Sequence, residues 1–218
     1  DDIKKIIDDA KFFLNTTNTI TDFVLIGTGG SSLGANALIK ANINNNSNIN
    51  FHILDSLDPV TIKSTLEKIS PNTAKFLVIS KSGKTTEIIA LMLIVMEWLK
   101  NNKVEPRKAI MSMFDFSSAI ESPIAKISSE YGIKTTEHQS NIGGRFAALS
   151  ATGLLPACIM GTDPMLLRRT SRKTLNSILS EDSSFILSSS IFSNPQINKN
   201  KLNCIINYGD SLSEFLLW

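Results

Sequence analysis

Eight consecutive residues, Ser80-Lys81-Ser82-Gly83-Lys84-Thr85-Thr86-Glu87, gather four hydroxyls, two ammonium groups and one glycine just before an apolar segment. Hydroxyls and free backbone N–H groups at a helix start are what a phosphate monoester needs, because both donate to oxygens that already carry charge. The segment lacks the GxxxxGK[ST] order, so a nucleoside triphosphate is not its expected ligand. A capped helix start, with Thr85 as N-cap and Glu87 favouring the dipole, would account for one hydroxyl and leave three.

A second candidate is Gly27-Thr28-Gly29-Gly30-Ser31-Ser32-Leu33-Gly34. Its glycines let backbone approach a ligand, and a following helix would offer N–H groups to an anion. The rival is a dinucleotide fingerprint with Asp55 as the ribose-binding acid, but the third glycine it needs is Ser32. A tight turn without a ligand is the plainer alternative. The third candidate is Gly143-Gly144-Arg145. A double glycine permits a close turn, and the Arg145 guanidinium could stabilise a negative oxygen with two donors. Its alternative is a structural arginine bonded to loop carbonyls. His52, His138, Asp55 and Asp58 read as structural, the two aspartates as caps. Arg168, Arg169, Arg172 and Lys173 read as a solvated helix face or a dimer rim.

Behind each loop the pattern supplies a strand. Phe23–Ile26, Phe51–Leu54, Phe76–Ile79, Ala109–Phe114 and Ile133–Glu137 are short apolar or β-prone runs. Between them, helices are expected at 33–39, at 58–69 with Pro59 in the first turn, at 87–100, and at 123–131 with Gly132 just beyond. A helix over 3–14 precedes the first strand. Alternation of this kind predicts an α/β fold, an open doubly wound sheet of five parallel strands flanked by helices, in the flavodoxin-like order 2-1-3-4-5. That order makes strands one and three neighbours, so the glycine loop and the hydroxyl loop should form one cup. After residue 145 helices follow one another, at 146–161, 165–180 and 184–192. A strand over 202–207 and a helix from 212 would then begin a second α/β domain. The expected division is an N-terminal helix (1–20), an α/β domain carrying the phosphate-binding cup (21–161), a helical connection (162–200) and an incomplete second domain (201–218).

Composition narrows the classes. The chain has 218 residues, 42% hydrophobic and 19% charged, an ordinary globular balance. A net charge of +2 gives no electrostatic footprint for nucleic acid. The longest apolar run, Ile88–Met96, is nine residues, well short of the roughly 20 that span a bilayer. It reads as a buried or subunit-facing helix. Two cysteines, Cys158 and Cys204, make neither a disulfide framework nor a zinc cluster. A cytoplasmic protein is therefore expected. The acidic start and the apolar end at Trp218 suggest a piece of something longer.

At IGTGGSSLG (26–34), VISKSGKTTE (78–87), NIGGRFAALSATGLLPACIMG (141–161) and NYGDSLSEFLLW (207–218) the sequence resembles the glucose-6-phosphate isomerase family, in its sugar-isomerase (SIS) domain. Ser82-Gly83-Lys84 stands closer to the bacterial than to the animal form, and Lys84 departs from both. The resemblance implies interconversion of glucose 6-phosphate and fructose 6-phosphate in glycolysis and gluconeogenesis, with no metal or organic cofactor and a homodimer in the full-length protein. It assigns the substrate phosphate to Gly30, Ser31, Ser80, Lys81 (through its backbone), Ser82 and Thr85, with Gly29, Gly83, Thr86 and Gly144 supporting the loops. It assigns the enediolate to Arg145, the one candidate catalytic residue. The family's catalytic glutamate belongs to an E-S-x-G-K segment expected beyond Trp218, and its ring-opening histidine and C-terminal lysine lie later still. A sugar-phosphate sensor would share the cup and need no base. A nucleotide-dependent oxidoreductase is the weakest reading.

Overall fold

The computed structural model of the chain describes residues 2–15, 19–42, 47–180, 190 and 213–217. Five strands, β1 (Asp22–Ile26), β2 (Asn50–Leu54), β3 (Ala74–Ile79), β4 (Ile110–Phe114) and β5 (Lys134–Glu137), form one sheet in the order β2-β1-β3-β4-β5. All four pairings are parallel, with Ile26 beside both Leu54 and Val78 and with Ile79 beside Met113. Their carboxyl ends therefore line up along one edge.

The central strands are buried on both faces, which is why they read as unbroken apolar runs. Val24, Ile26, Phe76 and Val78 face one core with α3 (Pro59–Lys68), α4 (Thr86–Asn101) and α6 (Pro123–Glu130). Phe23, Leu25, Leu77 and Ile79 face the other with α1 (Asp2–Leu14), α2 (Leu33–Ala41) and α7 (Ala151–Ile159). The Ile88–Met96 run lies in α4, where Ile88, Leu91, Met92, Val95 and Met96 are buried in the first core.

A one-turn helix, α5 (Pro106–Ala109), precedes β4 and takes in Ala109, which the sequence placed at the start of the strand. The expected helix over 146–161 is shorter. Gly144–Phe146 is a separate 3-10 turn, and α7 starts at Ala151 because the Ser150 hydroxyl accepts from the Thr152 N–H and donates to the Ala147 carbonyl. Arg145 thus belongs to a turn and not to the start of the helix. α8 (Pro164–Ile178) follows, capped by Asp163, and α9 (Ser213–Leu217) packs on α2. The expected helix at 184–192 lies outside the described residues except for Ser190, and the expected strand at 202–207 lies wholly outside them. Arg168 is not free on a solvated face. It donates to the Asp2 carboxylate at 2.7 Å and to the Leu149 carbonyl at 3.0 Å, tying α8 to α1. Among the described residues no helix is long and apolar enough to cross a membrane.

Candidate functional site

β3 ends at Ile79 and the chain turns at once. The Gly83 N–H donates to the Ser80 carbonyl at 3.0 Å, and Gly83 itself has φ +63°. That left-handed conformation suits glycine. A Cβ there would lie 1.9 Å from the Ser122 hydroxyl, so the loop sits directly on the start of α6. Thr85 is the N-cap residue of α4, with extended backbone, but its hydroxyl does not cap the helix. It meets the Ser80 hydroxyl instead, at 3.0 Å. The first amides of α4 are left without a side-chain acceptor.

The glycine loop is built the same way. Gly29–Ser31 is a 3-10 turn opened by Thr28, and Ser32 precedes α2; neither cap residue offers a side-chain bond to the helix. The buried Ser32 hydroxyl donates back to the Gly29 carbonyl. Elsewhere α3, α6, α7 and α8 are capped by Asp58, Ser122, Ser150 and Asp163. The helix starts beyond β1 and β3 are left uncapped, and they face one cavity. Unsatisfied N–H groups and the helix dipole favour an anion there.

That cavity, of about 320 Å³, is lined by Thr28, Ser31, Ser80, Lys81, Ser82, Thr85, Asp115 and Ser118. Five of these are sequence candidates: Ser31, Ser80, Lys81, Ser82 and Thr85. Gly30 lies beside it and Gly29 faces open space. Gly83 shapes the loop from below. Thr86, in the first turn of α4, is not among the lining residues. Lys84 turns outward to pair with Glu121. Asp115 and Ser118 have no signal in the pattern; they reach the cup only because β4 neighbours β3. The Asp115 carboxylate accepts from the Ser117 hydroxyl at 2.6 Å and the Ser117 N–H at 2.9 Å, which hold it below the usual carboxylate range.

Arg145 does not line the cup. It is exposed on the turn beside it, and two contacts fix that turn. A Cβ on Gly30 would fall 2.2 Å from the Gly144 carbonyl, so the two backbones touch. The Lys81 ammonium donates to the Ser140 and Ile142 carbonyls at 2.7 and 2.9 Å. Nearby, His138 is 1% exposed. Burial, with the Lys81 charge, pushes its imidazole below the ordinary value of 6.5, against the Gln139 carbonyl and Asp115. The other histidine, His52, bonds the buried Asp22 at 2.9 Å, at the far edge of the sheet. A larger cavity of about 520 Å³ also lies at that far edge, between Phe12, Lys75, Arg107 and Ile110, away from every expected site residue. Among the described residues no group of three His, Cys, Asp or Glu side chains is arranged to hold a metal ion.

The family model for phosphoglucose isomerase matches residues 2–168. The chain belongs to the phosphoglucose isomerase family. Within that family it is 30% identical over 214 residues to the glucose-6-phosphate isomerase of Campylobacter jejuni, covering 98% of this chain and 52% of that protein. It is 37% identical over 155 residues to a glucose-6-phosphate isomerase of Thermus thermophilus, covering 71% of this chain and 36% of the relative. The chain therefore spans about half or less of these phosphoglucose isomerases. Among solved structures, a hypothetical protein from Thermus thermophilus superposes with a TM-score of 0.70 at 32% identity, covering 82% of this chain and 41% of that one. A glucose-6-phosphate isomerase from Chlamydia trachomatis shares the fold, with a TM-score of 0.63 at 24% identity over 74% of this chain and 30% of its own.

Proposed function

We propose that the chain forms the phosphate-binding half of an aldose–ketose isomerase that interconverts glucose 6-phosphate and fructose 6-phosphate through a cis-enediolate. The observation that carries this reading is the convergence of two uncapped helix starts and four hydroxyls, from Ser31, Ser80, Ser82 and Thr85, on one cavity beside the Arg145 turn. A phosphate in the cup would take donors from those hydroxyls and from the backbone at Gly30, Lys81 and the first turn of α4. The sugar would then extend toward Arg145, whose planar fork suits an oxygen that gains charge as C1 and C2 exchange a proton.

Moving that proton needs a general base. Asp115 is the carboxylate among the cup's lining residues, and its bonds from Ser117 make it a weak one. In this reading the chain contributes binding and oxyanion stabilisation, and the base comes from the remainder of a longer protein. The cytoplasm and a homodimeric full-length enzyme belong to the same proposal. A sensor would share the cup but would have no enediolate for Arg145 to meet.

The test is thermal unfolding of the chain with fructose 6-phosphate, with NAD as the rival ligand. Ligand at 100 times its dissociation constant should stabilise the fold by about 2.7 kcal/mol. Thr85→Ala should abolish the shift. No shift in a cooperatively folded chain, or a shift with NAD alone, would overturn the reading. Robust isomerisation by the chain alone would overturn the division of labour.

A further inference from the structure

Lys81 belongs to both parts of the site. Its backbone is in the cup, where its carbonyl accepts from the Asp115 N–H at 2.9 Å. Its side chain leaves the cup and ends on the segment just ahead of Arg145, with Nζ donating to the Ser140 carbonyl at 2.7 Å and the Ile142 carbonyl at 2.9 Å. Two carbonyls two residues apart, gathered by a single cation, set the path of the chain between them, since an ammonium is a compact charge with three donors. The other flank of the same turn is held by the glycine loop, through the contact of Gly30 with Gly144. Each phosphate-side loop thus grips one flank of the Arg145 turn. The charged and titratable groups facing Lys81 are Asp115, beyond β4, and His138, beyond β5, which its charge helps to keep neutral.

We propose that Lys81 is a positioning residue whose ammonium sets the separation between the phosphate cup and Arg145, so that both anionic ends of one ligand are read by a single frame. The proposal rests on the sugar-phosphate reading of the cup. It assigns the Lys81 side chain no contact with phosphate. A ligand that fills only the cup should be nearly indifferent to it. A ligand with a second anionic group at the sugar end should depend on it.

The experiment measures binding of two probes to the chain by calorimetry: inorganic phosphate, and a five-carbon aldonate 5-phosphate whose carboxylate carries charge where an enediolate would. The wild-type chain should prefer the aldonate phosphate by about tenfold or more, as a bond to a charged group implies. Lys81→Met should remove most of that preference, and Lys81→Arg should retain part of it. On an Arg145→Ala background, Lys81→Met should change the preference by less than about twofold, because the two residues act as one unit. A merely structural lysine would weaken both probes in parallel and add to Arg145→Ala. Retained preference in Lys81→Met, or additivity, overturns the proposal. If Lys81→Met no longer melts cooperatively, Lys81→Gln replaces it under the same criteria. A wild-type chain that binds neither probe refutes the cup itself, a result distinct from failure of the lysine's role.

Discussion

The contact between Gly30 and Gly144 is asymmetric, and the asymmetry can be measured. A Cβ on Gly30 would lie 2.2 Å from both the carbonyl carbon and the oxygen of Gly144 and 2.7 Å from its Cα, all backbone atoms. Ordinary contact begins at 3.4 Å. The two loops would have to part by about an ångström, in a packed region with few voids to absorb it. A Cβ on Gly144 would instead sit 3.6 Å from the Gly30 Cα, in ordinary contact, and neither glycine has a positive φ. Gly30→Ala should therefore cost about 1–3 kcal/mol as overpacking. Gly144→Ala should be neutral, or stabilising by about 0.4–1 kcal/mol through the unfolded chain. For a chain of this size the first corresponds to a melting point lower by about 2–12 °C. Differential scanning calorimetry of both variants reads the difference. Gly30→Ala should also weaken fructose 6-phosphate, because the Arg145 turn moves away from the cup. Two variants that melt together, or a Gly30→Ala chain that melts with the wild type, would refute the reasoning.

Gly83→Ala combines two costs, a left-handed φ of +63° and a Cβ 1.9 Å from the buried Ser122 hydroxyl. It should lose about 1–2 kcal/mol from the conformation plus an overpacking cost. Ser122→Gly in the same chain should return part of the second cost, read as non-additivity in urea unfolding; strict additivity would deny the contact. The buried His138 gives a pH dependence with a definite sign. Its folded pKa lies below the ordinary 6.5, so the unfolded chain takes up the proton at higher pH than the folded chain. Its contribution is complete above about pH 6.5 and is lost as pH falls below it. The lowered carboxyls of Asp22 and Asp115 act in a separate window, losing stability only as pH falls below 3.8. Between about pH 7.5 and pH 5.5 the wild type should lose more melting temperature than His138→Gln. Equal losses would show that His138 is not the group responsible.

Much of the fold was legible because strands buried on both faces and helices with one apolar stripe leave distinct periods. Val24 and Leu25 face different cores, and only a run without alternation can satisfy both. The switch in strand order put the two loops side by side around one cavity, and the residue types in them are what the proposed anion cup rests on. What sequence concealed was set by side chains making long-range choices. Thr85 stands where an N-cap stands, yet its hydroxyl turns to Ser80. Asp115 and Ser118 enter the cup through the pairing of β3 with β4. The Lys81 side chain spans 59 and 61 residues of sequence to reach its acceptors. Ala147 and Ala148 read as helical and draw the predicted helix back to Phe146. The Ser150 hydroxyl, bonded to the Ala147 carbonyl, breaks the pattern there.

Three helices close one face of the sheet, and two of them, α1 and α7, lie far apart in the chain. α1 begins at Asp2 and α7 ends at Ile159, and the two pack against each other over Phe23, Leu25, Leu77 and Met111. A ribosome delivers the first long before the second. At about 5–20 residues per second, α1 and β1 must wait several seconds or more for the helix that completes their face. Throughout that interval Phe13 and Phe23 are held by half a core. The opposite face can assemble as α3, α4 and α6 emerge between the strands they cover. Synthesis should therefore produce a particle dry on one side and sticky on the other. That interval, before residue 159 clears the exit tunnel, is when a chaperone would have most to bind.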